Sequence, residues 1–275
     1  MTRRIALAVL AAIVALVVLG PLVWPYGAED IDFSSRNTGP SPGHPMGTDQ
    51  LGRDVAARLM AGGRITLAVG FAAMGLSLGL GVLVGVLAGY LRRLDGWLMR
   101  LTDMFLSLPV LPLVLVGVML FRDRLSATLG EVTGLFLLVV LAIGMTSWMP
   151  TARVVRGAVL SLRARDFITA AEASGTRTPA MITRHILPNI MGAIMVSAAL
   201  GMANAVITES ALSYLGLGFP PDFPSWGRML SDGAVALREY PARALWPGLM
   251  ISLTVLCVTY IGDGARTSAG RAAKS

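Results

Sequence analysis

Lysine is all but missing from this chain. Of its 23 basic residues only Lys274 is a lysine, and it stands one residue from the C-terminus with no glycine-rich loop before it. A phosphate-cradling Walker A loop needs a lysine in the motif, so the chain is expected not to hydrolyse ATP. Cysteine is equally scarce: Cys257 is the single one, inside an apolar run, which excludes an intrachain disulfide. There are two histidines, His44 and His185, and neither HExxH nor CxxC spacing occurs, so no metal site is expected. No Gly-x-Ser-x-Gly nucleophile elbow is present either. Conventional enzyme chemistry therefore finds little support. Charge is low as well, at 14% of residues, where soluble domains carry about 25%.

What fills the space is apolar. Hydrophobic residues make up 55% of 275, and the mean hydropathy is +0.69. This length holds one large membrane domain. Six stretches approach the roughly 20 apolar residues that cross a bilayer: Ile5–Trp24, Ile65–Leu91, Trp97–Phe121, Val132–Val155, Ile186–Thr208 and Ala244–Ile261. An all-α membrane fold with six spans follows. The third span carries Arg100 and Asp103 in its first turns, an (i, i+3) pair that partly neutralises itself. Pro109 and Pro112 are expected to kink it.

The net charge of +7 does not indicate nucleic acid, because the arginines flank apolar runs rather than forming one patch. With the N-terminus inside, fourteen of the 23 basic residues fall on the cytoplasmic side, including Arg92, Arg93, Arg153, Arg156, Arg266, Arg271 and Lys274. The positive-inside rule then places both termini and the 156–185 loop in the cytoplasm. Arg3-Arg4 before an apolar core has the look of a secretory signal, but Pro-Leu-Val-Trp-Pro-Tyr follows where small residues would be needed for cleavage. An uncleaved first helix is expected. The organisation reads as 1–64 (first span and external loop), 65–264 (a core of five spans) and 265–275 (a cytoplasmic tail).

Within the external loop, Leu51, Val55, Leu59 and Met60 share one helical face and Arg53, Asp54 and Arg58 lie mostly on the other. A short amphipathic helix is predicted, either lying at the outer surface or simply packing on the bundle. Span two repeats glycine at 75/79 and 81/85/89, small-xxx-small spacing for close helix packing. Glu209 sits near the outer end of span five, where an ionisable group is either functional or an interface cap paired with an arginine of the following loop. The loop Phe219–Tyr240, stiffened by Pro220, Pro221 and Pro224 and carrying Trp226, reads as an ordered external cap.

The most informative stretch is 165–189. It is polar and arginine-bearing between two apolar spans, so it cannot sit in lipid. Gly175 suits a helix C-terminus and Pro179 a first helical position. The pattern is a short helix over Asp166–Ser174, then a second from near Pro179 to Leu187, with Pro188 as a boundary or kink into span five. On spacing alone this is either a docking surface for another protein or a basic helical linker without a partner.

Several strings in order move that balance. His44-Pro-Met-Gly-Thr-Asp-Gln-Leu-Gly-Arg-Asp with Gly63-Arg-Ile-Thr-Leu, Met99-Arg-Leu-Thr-Asp with Pro109, Phe167-Ile-Thr-Ala-Ala-Glu-Ala-Ser-Gly, Arg184-His-Ile-Leu-Pro-Asn, Glu209-Ser-Ala-Leu-Ser-Tyr-Leu-Gly-Leu-Gly-Phe, Pro224-Ser-Trp-Gly-Arg-Met-Leu and Gly262-Asp-Gly together resemble the C-type permease subunit of dipeptide, oligopeptide and nickel ABC importers. The resemblance spans residues 44–264. It implies type I ABC importer permease architecture in a bacterial plasma membrane, working with a B-type permease, two ATPase subunits or one fused ATPase, and an extracellular solute-binding protein. ATP and Mg would be bound by the ATPases and no cofactor by this chain. It further implies ATPase coupling through Arg165, Asp166, Phe167, Thr169, Ala170, Ala171, Gly175, His185 and Pro188; apart from the resemblance, Glu209 by its place in the membrane and Trp226 in the stiff external loop are candidates for the pathway or an external gate. Thr169 replaces the family's glutamate, His185 an aliphatic, and the usual tail after Gly264 is lost. The competing reading is an ATP-independent secondary transporter or channel, which would call for inverted repeats and paired charges near the midplane.

Overall fold

Among the described residues, most of the chain lies in ten α-helical segments. The computed structural model describes residues 3–220 and 222–272, with side chains through Gly264; Pro221 and Lys274 lie outside the described residues, as do the side chains of Arg266 and Arg271. The elements are α1 (Arg3–Val23), α2 (Val55–Tyr90), α3 (Arg92–Ser107), α4 (Val110–Leu129), α5 (Glu131–Thr146), α6 (Met149–Arg163), α7 (Asp166–Ala173), α8 (Thr178–Tyr214), α9 (Trp226–Val235) and α10 (Ala242–Ala272). No β-strand occurs among the described residues; Thr48 and Asp54 form one isolated bridge.

Helices α1, α2, α8 and the Ala242–Gly264 part of α10 are each long and apolar enough to cross a bilayer. The bent pairs α3/α4 and α5/α6 bring the number to six if each counts as one span. The expected kink in span three is in fact a break of 83° at Leu108-Pro109. Leu108 takes an extended backbone, since proline disfavours the helical region for the residue before it, and Pro109 starts α4 as its N-cap. Span four bends by 44° at Ser147-Trp148.

The predicted short helix near residue 55 does not exist as a separate element. Asp54 accepts a hydrogen bond from the Ala57 backbone N–H as an N-cap, and α2 then runs unbroken for 36 residues. Its supposed polar face is buried too. Arg53 and Arg58 converge on Asp49, with nitrogen–oxygen distances of 2.8 and 3.7 Å, under the α9 segment. Amphipathic patterning was read as apolar-in and water-out; here charge pairing lets both faces pack.

Glycines in α2 divide the helix by face. A Cβ at Gly81, Gly85 or Gly89 would come within 2.6 to 2.7 Å of Thr151, the Ala152 carbonyl or Val159 on α6, so only glycine permits that contact. Gly75 and Gly79 face open space instead. On α1, Pro21 has no N–H for the Val17 carbonyl. Arg64 of α2 fills the gap, its Nε donating to Val17 O at 3.0 Å and Nη2 to Val18 O at 2.7 Å.

Three apolar clusters run down the bundle. One joins α2, α4, α5 and α8 around Val69, Val118, Leu135 and Leu212. A second gathers Val155, Val159, Ile168, Met181 and Ile186 at the end bearing the 156–185 loop. The third holds Val17, Leu59, Trp226 and Met229 at the opposite end.

Candidate functional site

The 163–188 segment is built outward from the end of α6. Arg163 donates to the Tyr90 carbonyl at 2.8 Å and lies 5.2 Å over the Tyr90 ring, satisfying the carbonyl end of α2 with a cation. The chain turns at Ala164-Arg165 and enters α7, with Asp166 in its first turn, where a carboxylate favours the helix dipole.

Two adjacent side chains set the orientation of α7. Ile168 is 1% exposed, packed with Val159, Met181 and Ile186, while Phe167 is 46% exposed. Burying an isoleucine contributes roughly 1.5–3 kcal/mol, enough to fix a helix of only eight residues that would not persist alone. Thr169 and Ala170 share the exposed side with Phe167, and Ala171 is half-buried. The coupling set read from the sequence omitted Ile168. Its signal was an aliphatic residue inside an otherwise polar loop.

The end of α7 is a Schellman motif. Gly175 has φ of 77°, its N–H bonds the Glu172 carbonyl at 3.0 Å, and the Thr176 N–H bonds Ala171 O at 3.2 Å. The glycine assignment from sequence is realised at that position.

At Pro188 the structure decides between boundary and kink: residues 178–214 form one continuous helix, with a π turn at Met181–Ile186 just before the proline. Leu187 donates to Ile182 O, an i→i−5 bond, directly before a proline that has no N–H to give. Widening the register by one residue absorbs that missing donor. His185 is half-buried within the turn, its carbonyl accepting from Asn189 Nδ2 at 2.7 Å, and Pro188 is exposed. Arg165, Asp166, Phe167, Thr169 and Ala170 thus form one exposed patch, while His185 and Pro188 belong to the helix that supports it.

At the opposite end, Glu209 and Trp226 come together as packing rather than as an exposed gate. Both are 0% exposed. Among the described residues no arginine pairs with Glu209, contrary to the interface-cap expectation; Ser213 Oγ donates to its carboxylate at 2.7 Å, and hydroxyls of Thr66, Ser210 and Ser225 also turn to it. Ser225 in turn caps α9, and the Trp226 backbone N–H bonds Thr66 Oγ1 at 3.2 Å. The Trp226 indole donates to Leu59 O at 2.9 Å. Its ring lies where a Cβ on Gly63 would come within 2.8 Å, so that glycine makes the slot. Trp226 therefore does not meet an outside partner. It keys α9 into α1 and α2.

The polar cluster beside it was invisible to residue patterning. His44 Nδ1 lies 2.8 Å from Asp54 Oδ2 and Trp24 Nε1 donates to Asp54 Oδ1 at 3.0 Å. Arg243 Nη2 reaches Asn37 Oδ1 and the Thr48 carbonyl at 2.8 and 2.7 Å. Partners up to two hundred residues apart in sequence make this cap.

Residues 50–273 match the family described as binding-protein-dependent transport system inner membrane component. The chain is 38% identical over 264 residues to the oligopeptide transport system permease protein OppC of Escherichia coli (strain K12), covering 95% of this chain and 84% of that one. It is 35% identical to the OppC proteins of Haemophilus influenzae, over 264 residues, and Bacillus subtilis (strain 168), over 263, with 95% of this chain and 81% and 83% of those covered. Among solved structures, an inward facing conformation of the MetNI methionine ABC transporter is similar over 77% of this chain and 95% of that one, with a TM-score of 0.59 at 19% identity, a likeness of fold.

Proposed function

Since the chain belongs to the binding-protein-dependent transport system inner membrane component family, and is thus a multi-pass bacterial inner-membrane protein, we propose that it is a permease subunit of an ATP-driven importer of di- or oligopeptides. It forms the pathway with a second, B-type permease. The relatives named above are oligopeptide permeases, which supports the cargo class. Lacking a Walker A lysine loop, the chain leaves ATP and Mg to two ATPase subunits or one fused ATPase, and receives cargo from an extracellular binding protein.

The single observation that carries the coupling role is the posture of α7: Ile168 pins it to α6 and α8 while Phe167 stands outward. An exposed phenylalanine on a helix rimmed by Arg165 and Asp166 suits an apolar socket with polar edges on an ATPase. In this reading Phe167 is the plug, Arg165 and Asp166 are the rim charges, and Thr169 with Ala170 and Ala171 form the small, close-packing side. Gly175 ends the helix, and His185 and Pro188 shape the π turn that backs it. Glu209 and Trp226 hold the outer cap instead of gating.

This orientation puts the 156–185 loop and both termini in the cytoplasm, consistent with the arginine distribution. In this reading 65–264 is the core and 1–64 and 265–275 are its flanks, divisions that fall inside α2 and α10 rather than between folded units. Because Ile168 shares one apolar cluster with Val159 and Ile186, displacement of α7 moves α6 and α8 together. ATP must then favour the closed ATPase dimer in one permease conformation over the other, since a ligand shifts an equilibrium only by its differential affinity.

Gentle extraction of a tagged chain from native membranes tests this. Recovery of a second permease and Walker-motif ATPases is expected. A chain recovered alone, and competent for uptake in liposomes without ATP, would replace the proposal with a secondary transporter.

A further inference from the structure

The bend between α5 and α6 opens a cavity of about 330 Å³ against α8, closed on the third side by the start of α4. That is at the lower end of the roughly 300–1,000 Å³ of small-molecule sites. Its lining has no charged residue and no histidine. The polar groups are Thr146, Ser147 and Thr151 at the bend, and Ser197, Asn204 and Thr208 on α8.

Two independent features show that water, not lipid, suits this face. The first is the bend itself: Pro150 has no N–H to offer the Thr146 carbonyl, and Ser147 leaves helical geometry with φ of −120° and ψ of 2°. Broken backbone at membrane depth is tolerated only where it is buried in protein or lines a wet cavity. The second is Asn204. It lies within the apolar run of α8, is exposed, and its carboxamide makes no hydrogen bond among the described residues. An amide turned to hydrocarbon costs several kcal/mol. Spacings of 197, 201, 204, 208 and 211 put the cavity-lining side of α8 on one stripe, three or four residues apart.

We propose that this cavity is the chain's share of the cargo path and binds the main chain of an extended peptide. This rests on the importer reading above. Hydroxyls and a carboxamide offer both donors and acceptors, matching successive peptide N–H and C=O groups. With no fixed charge in the lining, side-chain charge on the cargo meets neither attraction nor repulsion there. The lining thus passes peptides irrespective of sequence, and selection is left to the delivering protein.

The test uses the full complex with its binding protein in liposomes. Cys257 is fully buried, so the unsubstituted chain is first shown to be silent to the water-soluble cation methanethiosulfonate ethyltrimethylammonium. Asn204→Cys is then compared with Met195→Cys, half-exposed but on the opposite side of α8. Labelling of Asn204→Cys alone, with loss of peptide uptake but retention of the ATPases, supports the proposal. An unlabelled Asn204→Cys overturns it and makes the stripe a sealed contact with lipid or the second permease. Uptake of tri-alanine and of its central-lysine and central-glutamate analogues by Asn204→Leu completes the test. An equal loss of about fivefold for all three, the scale of one hydrogen bond, fits main-chain binding. Loss confined to one analogue overturns it. A wild-type complex that moves none of the three overturns the cargo reading itself, and a chain without ATPases overturns the importer reading.

Discussion

Arg156 of α6 grips Asp95 of α3 through two parallel hydrogen bonds, Nε to Oδ1 at 2.5 Å and Nη2 to Oδ2 at 2.8 Å. Arg153, one turn earlier, donates to Asp103 at 2.6 Å. These pairs attach α3 to α6, and Asp103 answers Arg153 and not the expected Arg100. Both partners of the first pair are about a third exposed or less, which limits its worth to about 1 kcal/mol after solvent screening. Asp95→Asn and Arg156→Gln should each lower the melting temperature of the purified complex slightly. The double variant should cost no more than either alone, and strictly additive losses in a double-mutant cycle would show that the pair is not coupled.

Ile168→Ala and Phe167→Ala should part company. The first removes a buried anchor and should destabilise the loop by about 2–5 kcal/mol, the range for aliphatic-to-alanine changes in packed sites. Phe167→Ala removes an exposed ring and should leave thermal stability within about 0.5 kcal/mol of the parent, while ATP-dependent uptake is lost. Equal effects of the two on protease resistance of the 165–180 segment would contradict the assigned posture of α7.

Gly175 tests the cap. Its φ of 77° places any L side chain in strain, yet nothing lies within 4 Å of a Cβ there, so the penalty is backbone alone, about 1–2 kcal/mol. Gly175→Asn, which tolerates this geometry best, should retain ATPase association. Gly175→Asp adds a negative charge at the negative end of the helix dipole. It should insert normally but fail to copurify with the ATPases, and normal recovery of that variant would end the docking assignment.

Glu209→Gln keeps the size of the side chain and acceptor capacity for Ser213 and should be tolerated. Glu209→Ala strands the hydroxyls that face it, at about 1–3 kcal/mol for unsatisfied buried polar groups. Trp226→Phe loses the bond to the Leu59 carbonyl and also ring volume from a closed slot, so it should cost more than the about 1 kcal/mol of the hydrogen bond alone. Melting of the purified complex distinguishes these; a wild-type melting temperature in Glu209→Ala with abolished uptake would restore the gate.

Residue order alone determined the apolar spans, the polar loop between spans four and five, and the glycine that ends α7. Each depends on local physics: hydrophobic length, the inability of a polar loop to enter lipid, and a positive φ that only glycine adopts freely. The strings of matching residues added the family. Tertiary structure decided the rest. Arg53 and Arg58 read as a water-facing stripe because a helical pattern records which residues share a face, not what covers that face; Asp49 and α9 cover it. Glu209 and Trp226 read as outward because their span end is polar, whereas hydroxyls from three segments close over the carboxylate. Pro188 looked like a boundary or a kink, since a proline removes a donor without saying how the backbone will answer, and a π turn answered. The wet cavity at Ser147 is the clearest case: its residues come from five helices, and only their convergence distinguishes a path from a packed seam.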